Sequence, residues 1–483
     1  MTPELILGAA GSGKTRWTIG QTVERLNGGE DQLVLLPSQS LITDFRQRLI
    51  RHPDFISTDR LRIETFYSFV KTAAVSAGIT GRELDDASLQ IVLEQYLGVN
   101  ESAYPVLLDQ GVTDGLIGTL LDYFSDLQDG AVSPELVRTR LLPDSRNPQS
   151  RLDEIHRLYT EFSMYLSERG FVSRPQLMLD VAGWMRNRSE LPPGENVLID
   201  GFYEFNPVQF GIVECLLEQS DYCGITLLTG KAKLFRYTFG TAERIRSLVE
   251  KMGGSVETLK GTEPVLPGLQ GLFDSEQERP GISGSLTLAE ADSVPVEVQE
   301  TIRCVKRDLM AGEYSPDEIA VLYRGGEDYS TALMNRCRQE GIPVAGTHEE
   351  PLIRNPAVLA MLQWFEVLNN EFDREDVLRW MQSGYHDFRF DGTSIDTFRL
   401  EQVTLQAQII GGRGQWLSRL QAHLKREQTS ERDRKLLKQL SHLWERLPGS
   451  RTASWKDHIG DFRRVIDLTR ITTIFPNGDY DRY

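Results

Sequence analysis

Apolar runs with almost no polar alternation open the chain. "ELILGA" (Glu4–Ala9) and "QLVLLP" (Gln32–Pro37) are such runs, and they predict strands covered on both faces. Between and after them, Lys14–Leu26 and "LITDFRQRLI" (Leu41–Ile50) read as helices. "LRIETFYSFV" (Leu61–Val70) starts as a strand and then turns. Strands alternating with helices predict an α/β fold with a parallel sheet. From about Gly81 to Arg188 helical periodicity takes over. "DEIHRLYTEFSMYLSERG" places Ile155, Leu158, Tyr159, Phe162, Tyr165 and Leu166 on one helix face, with Gly170 as its stop. This block reads as a helical insertion, with a separate helical domain as the alternative. "NVLIDGF" (Asn196–Phe202) and "YCGITLLTG" (Tyr222–Gly230) return to strands.

Gly261–Gly284, rich in Gly, Pro and acidic residues, reads as a linker. Beyond it, "GSLTLAEA" (Gly284–Ala291), "EVQETIRCVKRDLMAGE" (Glu297–Glu313) and "DEIAVLYRG" (Asp317–Gly325) predict a second strand–helix–strand unit. After about Phe365 the pattern is again helical. No repeat of 20–50 residues is evident.

Composition narrows the class. The chain has 483 residues, enough for several domains, and 40% hydrophobic with 25% charged residues is ordinary for a globular protein. No run approaches a membrane span, and no signal peptide precedes the glycine-rich start, so a cytoplasmic protein without membrane contact is expected. Cys215, Cys223, Cys304 and Cys337 form no CxxC pair, which predicts reduced core thiols. A net charge of −17 argues against a protein that coats nucleic acid, but leaves room for a local basic channel.

The most specific chemistry lies in Gly8-Ala9-Ala10-Gly11-Ser12-Gly13-Lys14-Thr15, a complete phosphate-loop (P-loop) pattern between a strand and a helix. Glycines let backbone N–H groups curl around phosphates, and the helix start adds positive potential. Lys14 is expected on the β- and γ-phosphates of ATP, and the Thr15 hydroxyl on Mg²⁺. A second Mg²⁺ group is expected at the end of a buried strand. "VLIDGF" supplies Asp200, followed by Gly201 where many motors carry the Glu that orients water.

The order of the phosphate loop, "IETFYSF", "VLIDGFYEFNPVQ" and "IAVLYR" resembles UvrD-type superfamily-one helicases, and more closely the AddB (RexB) type of subunit of AddAB helicase–nucleases. The loop begins at Gly8, leaving no room for the glutamine segment that precedes it in UvrD-type enzymes. The "LIDGF" run and Glu297–Val344 are likewise AddB-like. The resemblance implies a P-loop NTPase fold in several parts. A first RecA-like motor domain would comprise residues 1–80 and 190–275, with a helical insertion at 81–189 and a linker at 276–284. The start of a second RecA-like domain would follow at 285–365, and its helical insertion at 366–483.

The resemblance implies nucleotide contacts from Gly8 to Thr15 and from Arg324. It implies Mg²⁺ at Thr15 and Asp200, and single-stranded DNA near Ser38, Gln39, Thr65, Phe66, Tyr67 and Ser68. Tyr67 stands where "TFHS" segments carry His, and Leu227–Tyr237 lacks a nucleotide-sensing Gln. The sequence ends at Tyr483 before any late arginine motif or nuclease region of AddB-type chains. The implied function is an ATP-binding, helicase-derived subunit in DNA double-strand-break repair. It would bind single-stranded or end DNA with little unwinding of its own, beside an AddA-type partner. Two alternatives stand: an active motor using Glu204 as its acid, and a scaffold in which the nucleotide is structural. Lys425–Arg451 carries eight Lys/Arg against four Asp/Glu, and is either a solvated helix face or a surface for phosphates.

Overall fold

The computed structural model describes residues 3–142, 150–187, 195–229, 236–260, 287–324, 327–346, 352–390, 393–426, 430–448 and 454–470. It divides into two compact units, Met1–Leu286 and Thr287–Tyr483.

The first unit begins with β1 (Glu4–Gly8), α1 (Lys14–Asn27), β2 (Asp31–Leu36), α2 (Gln39–Ile50), β3 (Leu61–Thr65) and α3 (Phe66–Ala77). After a mainly helical stretch come β6 (Glu195–Ile199), α9 (Pro207–Gln219), β7 (Tyr222–Leu228), α10 (Arg236–Lys251) and β8 (Ser255–Leu259). These strands form one six-stranded sheet in the order β3-β2-β6-β7-β1-β8, and every pair is parallel. The apolar runs occupy the centre: all seven residues of β7 and the last four of β1 are buried. The edges are β3, with only Ile63 buried, and β8, "SVETL", with none. A parallel sheet needs cover on both faces, so only runs as apolar as β1, β2, β6 and β7 suit its interior. Because all strands run one way, their carboxyl ends share one edge, where ligands bind in open α/β sheets.

The stretch between α3 and β6 holds β4 (Arg82–Glu83), α4 (Asp86–Val99), α5 (Asp114–Asp129), the one-turn α6 (Pro134–Leu136), α7 (Arg151–Glu168), β5 (Phe171–Val172) and α8 (Arg174–Arg186). Its core joins Leu93, Leu97, Phe124, Tyr159 and Phe162, among others. The expected helix face of α7 is the one it buries. A short parallel pairing of β4 with β5 draws the two ends of this lobe together. Helix α8, within the span expected as insertion, packs instead on α3 and α9. Its Leu177, Met178, Val181 and Met185 belong to the core of the sheet. The insertion therefore closes at β5, before residue 189.

The second unit departs from expectation at its start. Helices α11 (Val294–Ala311) and α12 (Glu327–Glu340) pack together around Val298, Ile302, Leu333 and Cys337. The strands expected on either side do not form: described residues 287–291 and 317–324 contain no strand. Ile319 and Val321 are half-buried, whereas Leu322 is 94% exposed. The alternation is that of a strand, but backbone N–H and C=O groups need a partner, and no parallel partner strand exists among the described residues of this unit. The partial second RecA-like sheet expected at 285–365 is thus absent from the described residues.

The remainder is helical, as expected. It comprises α13 (Pro356–Asn369), α14 (Arg374–Gln382), a small antiparallel pair of β9 (Arg389–Phe390) and β10 (Thr393–Ser394), then α15 (Thr397–Gln406), α16 (Arg413–Leu424), α17 (Glu431–Arg446) and α18 (Trp455–Thr469). Four tryptophans, Trp364, Trp380, Trp416 and Trp444, lie almost fully buried in its core. Of the cysteines, Cys215, Cys223 and Cys337 are buried but Cys304 is exposed. Burial pushes the Cys223 thiol up to about 12, which makes it inert. The expected linker at 276–284 lies outside the described residues. No helix among the described residues is long and apolar enough to cross a membrane.

Candidate functional site

The glycine-rich loop leaves the carboxyl end of β1 and enters α1. Gly11 and Gly13 take φ of 76° and 90°, a left-handed backbone that glycine adopts without steric cost. Gly13 is the N-cap of α1 and offers no side chain, so nothing caps that helix start. Helices α2, α3, α5, α7, α8 and α9 are all capped by Ser, Thr or Asn. An uncapped helix start on a curled loop is an anion cradle. Two further observations fit a phosphate there. The Ser12 hydroxyl is buried without a hydrogen-bond partner. The Lys14 amine folds back to donate to the carbonyls of Gly8 (2.9 Å) and Ala9 (2.8 Å). Burial lowers the Lys14 pKa and the Asp200 carboxylate opposes that shift, so a bound anion would favour its charge. Thr15, half-buried, follows on the same turn.

Asp200 directly follows β6, two strands from β1 across β7. It is 2% exposed, its N–H donates to Leu35 O (3.1 Å), and its carboxylate accepts a hydrogen bond from the Thr226 hydroxyl. Sequence reasoning missed Thr226, although a buried hydroxyl in an otherwise apolar strand was a signal. Among the described residues no cluster of three His, Cys, Asp or Glu could cage a metal. One carboxylate and one hydroxyl suit a hydrated Mg²⁺ that also takes phosphate oxygens.

Gly201 has a structural reason to be glycine. Its φ is 82°, and an added Cβ would sit 3.3 Å from Pro37 Cδ and 3.6 Å from Leu41 Cδ1. A glutamate cannot enter this position on the present backbone without strain. Gly201→Glu is expected to lower stability by about 1–2 kcal/mol and to leave ATP turnover no higher. A melting curve and a phosphate-release assay check both. Glu204 is exposed in the loop before α9 and, among the described residues, has no hydrogen bond or ion pair.

The expected DNA segments share the same sheet edge, after β2 and β3, but much of their chemistry is already engaged. Ser38 caps α2, accepting from Leu41 N (3.4 Å). Gln39 is exposed. Thr65 caps α3, accepting from Ser68 N (3.1 Å), and the Thr65 and Ser68 hydroxyls bond at 2.9 Å. Phe66 is 4% exposed and packs against Phe202 (5.9 Å) and Phe205 (6.4 Å). It is a core residue with no face left for a base.

Tyr67 is covered too. The Arg174 guanidinium lies 4.0 Å from its ring centre and the Lys71 amine 5.0 Å, while its hydroxyl donates to Glu83. Burial and the Glu83 contact push the phenol pKa far up. Burial works against the Glu83 charge, but hydrogen bonds from Lys71 and Tyr67 outweigh it and hold the carboxyl low. Glu83 and Arg174 come from other elements, β4 and α8, and no local pattern announced them. Arg324 lies in the second unit on an exposed, unpaired segment. The stretch expected to hold a nucleotide-sensing residue, Leu227–Tyr237, is described only in part.

Residues 5–269 match the family model described as "ADDB, N-terminal". The chain belongs to the AddB family. Curated relatives, each named as one subunit of an ATP-dependent helicase/deoxyribonuclease, agree along most of its length. The relative from Alkaliphilus oremlandii is 24% identical over 446 residues, covering 85% of this chain and 37% of that protein. The relative from Natranaerobius thermophilus is 22% identical over 485 residues, covering 92% and 40%. The Bacillus cereus protein is 23% identical over 412 residues, covering 79% and 35%. This AddB-family chain thus spans about 35–40% of the length of these relatives.

Proposed function

We propose that this AddB-family chain is the ATP-binding, helicase-derived part of a helicase–nuclease subunit that works on broken DNA in the cytoplasm. The first unit would be a RecA-like nucleotide domain. Gly8–Thr15 would wrap the phosphates of ATP, and Thr15 and Asp200 would hold Mg²⁺. Mg²⁺, when bound, would neutralise phosphate charge. Lys14 would move from the Gly8 and Ala9 carbonyls to the nucleotide, and Thr226 would keep the Asp200 carboxylate oriented. The observation that carries this reading is the loop itself, with its uncapped helix start, an orphan Ser12 hydroxyl and a folded-back Lys14.

Gly201, with its left-handed backbone, supports weak hydrolysis, because a lost general base costs roughly 10²–10⁴-fold in rate. Single-stranded DNA would cross the carboxyl edge of the sheet near Gln39 and Ser68, contacted through phosphate and sugar rather than by stacking on Phe66. The names of the relatives support a helicase–nuclease complex, in which an AddA-type partner would supply the motor. Arg324 would contact the γ-phosphate.

Purified chain melted with and without ATP–Mg²⁺, alongside ATP turnover with and without single-stranded DNA, tests this. A clear rise in melting temperature with little turnover is expected. No rise would remove the nucleotide reading. Strong DNA-stimulated turnover would replace it with an active motor.

A further inference from the structure

We infer that the exposed face of α17 in the second unit binds the phosphate backbone of duplex DNA through Arg434, Lys435 and Lys438. The inference rests on the proposed DNA binding and adds a contact surface on the second unit.

The helix is locked in rotation. Leu436, Leu437, Leu440, Leu443 and Trp444 are buried on one side, so the opposite side has a fixed direction. Two acids beside it, Asp433 and Asp396, are already paired. Arg399 grips Asp433 through two hydrogen bonds of 2.7 and 3.0 Å, and Ser430 Oγ donates to the same carboxylate at 2.7 Å. Arg432 pairs with Asp396. What remains exposed over the first two turns is Glu431 against Arg434, Lys435 and Lys438, and among the described residues these three cations form no ion pair. With Asp433 and Asp396 paired, three cations outnumber Glu431 on this face, in line with the excess of Lys and Arg along Lys425–Arg451.

The rest of the chain sharpens the argument. With a net charge of −17, DNA contact would concentrate at local positive patches such as this one. Arg434 and Lys438 are four residues apart, about 6 Å along the helix axis. A duplex carries a phosphate about every 3.4 Å along each strand, so each of the three cations can reach its own phosphate. Duplex is favoured over single strand because its phosphate charge is denser. Contacts to phosphate alone predict binding without sequence preference.

The test is fluorescence anisotropy of the full chain with a random-sequence duplex, between low and moderate salt. The variant R434Q/K435Q/K438Q should bind more weakly. Its slope of log K against log salt should be shallower by about 2–3, at about 0.9 per lost phosphate contact. All three side chains are exposed, and unchanged circular dichroism and melting would verify folding. The variant R138Q/R140Q/K251Q makes the same charge change at exposed sites elsewhere, and should leave the slope near wild type. An unchanged slope in the α17 variant, or an equal fall in the control, overturns the inference. DNA affinity lost in Q39A/S68A but kept in the α17 variant would also overturn it, while leaving the proposed sheet-edge function standing. No duplex binding by the wild type would overturn the inference, and binding of neither duplex nor single-stranded DNA would overturn both.

Discussion

Replacing Lys14 with alanine is expected to remove most of the stabilisation that ATP–Mg²⁺ confers. At a hundredfold excess over Kd, a ligand stabilises the folded state by about 2.7 kcal/mol. Hydrogen bonds to a charged group contribute about 1.5–3 kcal/mol, so losing the Lys14 amine should weaken binding roughly 10- to 150-fold. At the same ATP concentration the stabilisation then falls to about 0.3–1.4 kcal/mol. The ligand-free protein should change little, because the buried Gly8 carbonyl keeps its hydrogen bond from Thr229 N–H (3.1 Å) and Ala9 is exposed to water. Parallel melts of both proteins over an ATP series read this directly. An undiminished ATP shift in Lys14→Ala would show that the amine does not touch the nucleotide.

Trp416→Ala should produce the largest loss of stability, confined to the second unit. Trp416 is fully buried, stacks on Trp444 at 4.7 Å, and donates its indole N–H to Phe372 O at 2.7 Å. Truncating a buried tryptophan costs about 3–5 kcal/mol. Here it also leaves a buried carbonyl without its donor, and frees a turn in which Glu371 and Phe372 hold φ of 54° and 59°. A whole domain is stable by only about 5–15 kcal/mol, so the second unit should unfold at clearly lower denaturant. Denaturant titration followed by tryptophan fluorescence checks this, since Trp364, Trp380 and Trp444 report on the same core. A midpoint shift below that of an exposed control such as Lys438→Gln would contradict the packing described.

How legible these features were depends on how local they are. The eight residues from Gly8 to Thr15 are contiguous, and their backbone geometry follows from glycines at fixed spacing, so the curled loop could be read from the sequence. Asp200 could be read because it ends an apolar run. The central strands could be read because interior parallel strands must be apolar on both faces. The sequence by itself therefore determined five of the six strands of the sheet, missing the exposed edge strand β8, together with the loop and the helical character of the insertion and of the last hundred residues.

Only the tertiary structure decided what those pieces do to one another. Phe66 looked available for a base until Phe202 and Phe205, brought from just beyond β6, closed over it. Tyr67 acquired Glu83 from β4 and Arg174 from α8, and Asp200 acquired Thr226 from the next strand. Gly201 was legible as a missing glutamate, but not as a left-handed turn that excludes one. "IAVLYR" has the composition of a buried strand and is not one in the described residues, because a strand exists only with a partner to bond. Composition is carried by the residue, whereas pairing, shielding and charge neutralisation belong to neighbours that lie far apart along the chain and meet only when it folds.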